Sequence, residues 1–63
     1  MTQKELLYYE DAVGHEDSII KIIDNAIKSL SNEELITFMQ NEKEKHMTLK
    51  ENLMNILKEA VNG

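Results

Sequence analysis

Leu30-Ser31-Asn32-Glu33-Glu34-Leu35 lies near the middle of the chain and carries the signature of a helix start. Ser31 is placed to cap, Glu34 follows three residues later to reach back, and Leu30 and Leu35 are spaced as a hydrophobic staple. The same device opens the chain, with Thr2 and Glu5 flanked by Met1 and Leu6. Two such starts predict two helices, over about residues 3–30 and 32–61, separated by one or two residues. A connection that short makes them antiparallel. Around both starts, apolar residues recur at steps of three and four, which is helical spacing. No proline interrupts them, and the glycines are Gly14 and the terminal Gly63. At ~1.5 Å per residue each helix spans ~42 Å. The expected fold is an all-α antiparallel helical hairpin in one domain, residues 1–63.

Composition narrows the chemistry. Sixty-three residues are too few to enclose an enzyme-sized pocket within one chain. Without cysteine there is no disulfide scaffold and no thiolate metal site, so a core or a partner must hold the fold. Twelve acidic against 7 basic residues give a net charge of −5, which argues against a phosphate-backbone binder working through bulk charge. No apolar run is long enough to span a membrane. The opening Met1-Thr2-Gln3-Lys4-Glu5 does not read as a secretory leader. A cytoplasmic location is the expectation, with neither nucleic acid nor membrane as partner.

Heptad bookkeeping sets a register. The seam of the first helix reads Leu6, Tyr9, Val13, Glu16, Ile20, Ile23, Ile27, Leu30, and that of the second Leu35, Met39, Glu42, His46, Leu49, Leu53, Ile56, Ala60. Folding at Ser31 places Ile27 near Leu35, Ile23 near Met39, Val13 near Leu49 and Tyr9 near Leu53. On the flank, Glu10 and Asp17 are expected to face Lys50 and Lys43, pairs worth ~0.2–1 kcal/mol each.

Apolar residues also spill beyond that seam. Leu7, Tyr8, Ile19, Ile22, Ile36, Phe38, Met47, Met54, Leu57 and Val61 have no place between two helices. Burying a large apolar side chain is worth roughly 1.5–3 kcal/mol, so this surface drives association. The simplest closed solution is a two-fold homodimer forming a four-helix bundle. A groove for another protein's helix is the alternative that suits the methionines.

Three polar residues break the seam at one level. Glu16 is expected beside His46, with Glu42 one turn from His46 on the same face. A core carboxylate is costly unless paired or bound to a cation. One reading is a hydrogen-bonded Glu–His network that fixes register. The other is a metal site of Glu16, Glu42 and His46, doubled by a two-fold mate, whose carboxylates and imidazoles suit iron, manganese or zinc. His15 is expected on the surface, Tyr8 and Tyr9 in core or interface, and Lys43, Lys45, Lys50 and Lys58 on a solvated, salt-bridging face. Gly14 weakens its helix by about 1 kcal/mol relative to alanine, with or without a close neighbour to justify it.

The stretch Asn41-Glu42-Lys43-Glu44-Lys45-His46-Met47-Thr48-Leu49 resembles the second-helix motif of ferritin-like proteins, especially rubrerythrin-type and encapsulated-ferritin half-bundles. His15-Glu16-Asp17-Ser18-Ile19 is similar to their first-helix glutamate. The resemblance implies two-helix chains that dimerise around a di-iron ferroxidase site, with Glu16, Glu42 and His46 as ligands. That family spaces its ligands Glu-x-x-His, which puts the glutamate at position 43, where this chain has Lys43. In architecture alone the chain is also similar to plasmid repressor-of-primer hairpins. Their RNA-binding face needs basic and aromatic side chains on the first helix. Here Lys4, Lys21 and Lys28 stand among Glu5, Glu10, Asp11, Glu16, Asp17 and Asp24. Two functions therefore follow as expectations. One is a small acidic, non-enzymatic interaction or regulatory module; the other is a ferritin-like metal-binding bundle.

Overall fold

Both helices form. The computed structural model describes residues 1–62, with α1 at Gln3–Ser29 and α2 at Glu33–Asn62. They pack against each other as a hairpin 46 × 14 × 12 Å in extent, the length of one helix and the width of two. Neither is long and apolar enough to cross a membrane.

The first cap is the one the sequence signals. Glu5 N–H donates to Thr2 Oγ1 at 3.1 Å, and Thr2 N–H donates to Glu5 Oε1 at 2.9 Å. The donated Thr2 backbone N–H, with the Thr2 side chain, holds the Glu5 carboxyl below its ordinary 4.5. A lowered folded pKa makes this contribution present above the unfolded value and lost as pH falls through the folded one.

The second cap sits one residue later than expected. Asn32, not Ser31, closes it: Leu35 N–H donates to Asn32 Oδ1 at 3.0 Å, and Ile36 N–H donates to the Asn32 carbonyl at 3.0 Å. Asparagine caps at least as well as serine, and starting at Glu33 puts Glu33 and Glu34 against the positive end of the helix. This choice forfeits the reciprocal half of a capping box, because Leu35 then stands where the carboxylate is needed. Leu30 leaves α1 in an extended conformation, its N–H donating to the Ile27 carbonyl at 3.3 Å. The connection is thus Leu30-Ser31-Asn32, three residues. Asn32→Ala is expected to cost about 1 kcal/mol and Ser31→Ala almost nothing, in urea unfolding followed by circular dichroism. The opposite ranking would return the cap to Ser31.

The seam of α1 is as expected. Glu16 and Ile23 are buried, and Leu6, Tyr9, Val13, Ile20, Ile27 and Leu30 are half-buried. In α2 the seam is turned. Met39, His46 and Leu53 are half-buried, but Leu35, Leu49, Ile56 and Ala60 are exposed, and Ile36, Lys43, Lys50 and Leu57 take the inner place. Tyr9 does share a recess with Leu53, as the register requires. The turn of α2 follows from what borders its seam. Ile36 and Leu57 are apolar, and the stems of Lys43 and Lys50 lie along the contact while their ammonium groups reach the flank.

Those ammonium groups find different partners from the expected ones. Lys50 Nζ lies 2.5 Å from Asp17 Oδ1, and Lys43 Nζ lies 2.7 Å from Asp24 Oδ1. The pairing is shifted by one heptad from Glu10–Lys50 and Asp17–Lys43. Side chains lean toward the N-terminus of their own helix. Between antiparallel helices, Asp17 and Lys50 therefore lean together, whereas Asp17 and Lys43 lean apart. Both pairs remain partly exposed and set register more than stability.

Candidate functional site: the Glu16–His46 layer

Glu16 is the buried charged residue of the described chain, 7% exposed, at the centre of α1. Val13 one turn before it and Ile20 one turn after it leave no local partner on the seam. The partner comes from α2. His46 Nδ1 lies 2.5 Å from Glu16 Oε2, an N–H donating to a carboxylate across thirty residues of chain. Only the antiparallel fold brings the two together. The contact answers the cost of burying a carboxylate, and among the described residues no buried side-chain nitrogen or oxygen lacks a partner.

Glu42 stands apart from this pair. It is half-buried, and its Oε1 accepts from Lys45 Nζ at 3.1 Å, one turn along the same helix. Within one chain, Glu16 and His46 meet while Glu42 serves Lys45. Among the described residues no three histidine, aspartate or glutamate side chains gather closely enough to hold an ion. The donor set of a single hairpin thus does not fit an iron, manganese or zinc centre. What the pair can do is orient the imidazole and lock the level of α2 against α1, since sliding by one turn would strand both groups.

The remaining candidates fall around this layer. His15 is exposed. Tyr9 is half-buried, but Tyr8 is exposed, with Lys4 Nζ 5.9 Å from its ring centroid, a loose cation–π contact. A Cβ built on Gly14 meets nothing within 4 Å, so one hairpin supplies no close neighbour that would require glycine there.

Residue-type counting missed the difference between the two long sides of the hairpin. Along the side that carries the Asp17–Lys50 pair runs a shallow trough, lined by Val13, Met54, Leu57 and Val61 and continuing past Ile20 and Met47. The opposite side carries Leu35, Leu49 and Ile56, all exposed. The sequence signal for both was present in heptad positions outside the seam, but it needed the true rotation of α2 to be read. No protein family, no curated protein and no solved structure matches the chain, so the ferritin-like and repressor-of-primer resemblances rest only on the residues that suggested them.

Proposed function

We propose that this protein is a small acidic, non-enzymatic interaction module that acts as a homodimeric four-helix bundle. The observation that carries the reading is the size of its core. Ile23 is the buried apolar residue of the described chain, while eleven large apolar side chains stand exposed. A single hairpin leaves too much of its apolar surface in water to offset the entropy of ordering two long helices. A second copy covers one side of that surface, and a dimer of antiparallel hairpins is the smallest closed way to do so. The direct Glu16–His46 bond supports a structural use of the polar layer, because neither group waits for a cation. Regulation through such a module comes from what the assembled dimer presents, and an obligate dimer also makes folding depend on concentration.

Sedimentation and circular dichroism across a dilution series test the reading. The expected result is a species of twice the 7.3 kDa chain mass, whose helicity falls as it dissociates. A monomer that keeps its full helicity would overturn it. So would iron or zinc retained without chelators and a metal-dependent rise in melting temperature that Glu42→Ala or His46→Ala abolishes. That outcome would establish the ferritin-like alternative, with Glu16, Glu42 and His46 completed by the second copy.

A further inference from the structure

The two ion pairs between the helices give the hairpin a handedness that decides where a second copy can dock. Asp17–Lys50 and Asp24–Lys43 bridge one long side. Seven-residue periodicity puts Ala12, Ile19 and Ala26 of α1, and Leu35, Leu49 and Ile56 of α2, on the other. Resting on the homodimer reading above, we propose that this second side is the dimer face, and that the two-fold axis runs along the bundle.

Area supports a second copy as the occupant. The chain exposes 5015 Å². A compact monomer of this mass exposes about 4,200 Å², so the hairpin carries an excess of about 800 Å². That excess equals the share each partner gives to an interface of standard size, about 800 Å². One long side, 46 Å by about 14 Å, offers a footprint on the order of 600 Å² before side-chain relief is counted. A single face thus suffices.

Charge selects between the two sides. Docking on the ion-pair side would dehydrate Asp17, Asp24, Lys43 and Lys50 together, at a cost their mutual attraction barely returns. The central part of the opposite side carries one ion pair in place of two, Glu42 with Lys45 at 3.1 Å, and the Lys45 side chain is 72% exposed.

Shape then points to self-association. A two-fold interface uses the same patch twice and must be complementary to itself. Around the turn at Ser31, Ala12 lies level with Leu49, and Ala26 with Leu35. The face therefore pairs a notch on α1 with a knob on α2 at two levels. Rotation by a half-turn about the bundle axis lays each leucine of one copy over the alanine of the other, which allows the close packing a four-helix core needs.

Single thiols test the face without disturbing the fold. The chain has no cysteine, and Leu49 and Met54 are almost equally exposed in one hairpin, at 45% and 49%. In the dimer, the thiol of Leu49→Cys is expected to react with a small neutral maleimide about tenfold or more slowly than that of Met54→Cys, a difference that vanishes on dilution. In sedimentation, Leu49→Glu should dissociate the protein where Met54→Glu leaves it dimeric. Equal labelling of the two thiols, or protection of Met54→Cys alone, would overturn the face while leaving the dimer intact. An unmodified protein that sediments as a monomer would overturn the dimer itself.

Discussion

Ile23→Ala should remove most of the stability of this protein. Ile23 is 6% exposed and sits about two helical turns from Glu16 on the α1 seam. Truncating a buried isoleucine costs roughly 2–5 kcal/mol, the transfer of its methyl and methylene groups plus the cavity left behind. A small domain has on the order of 5 kcal/mol to lose. The adjacent Ile22, 66% exposed, provides the control, and Ile22→Ala should cost well under 1 kcal/mol. Urea unfolding at one fixed protein concentration measures both, because a dimer's midpoint moves with concentration. Equal losses at the two positions would mean that the assembled protein covers the outer surface of α1 as fully as its seam.

The second large effect lies in the polar layer. Leucine at position 16 alone strands the His46 ring beside an apolar group, and leucine at position 46 alone strands the buried carboxylate. Each single change is expected to cost roughly 1–3 kcal/mol, with His46→Leu the worse because a charge is left without its donor. The pair Glu16→Leu with His46→Leu should recover much of the loss and can exceed the parent, since a buried carboxylate recovers only part of its desolvation cost from one partner. The double-mutant cycle should therefore show strong coupling. Additive losses would mean that the 2.5 Å contact between His46 Nδ1 and Glu16 Oε2 contributes nothing beyond the separate environments of the two residues.

Much of this fold is written locally. The Thr2–Glu5 capping box is complete within four residues, so its formation needs nothing from the rest of the chain. The start of α2 was legible as a place but not as a residue. Ser31 and Asn32 both offer a capping oxygen, and the choice between them depends on how the first turn is charged and how the connection closes. The Glu16–His46 pair was legible because both interrupt an apolar ladder at matching distances from the turn. Glu42 looked equivalent by the same count. It differs because the rotation of α2 moves its position off the seam, where Lys45 reaches it first.

The sequence by itself determined the two helices, their antiparallel order and the level at which the carboxylate and imidazole meet. These depend on capping, on periodicity and on distance from a short turn, all of which act along the chain. Only the tertiary structure decided the rotation of α2 about its own axis. That rotation pairs Asp17 with Lys50 and Asp24 with Lys43, and turns Leu35, Leu49 and Ile56 outward. The reason is that α2 has apolar residues on more than one stripe, so its pattern permits several faces. Packing against α1 selects the face on which Ile36 and Leu57 and the stems of Lys43 and Lys50 lie along the contact, and the lean of side chains toward each N-terminus then decides which aspartate each lysine meets.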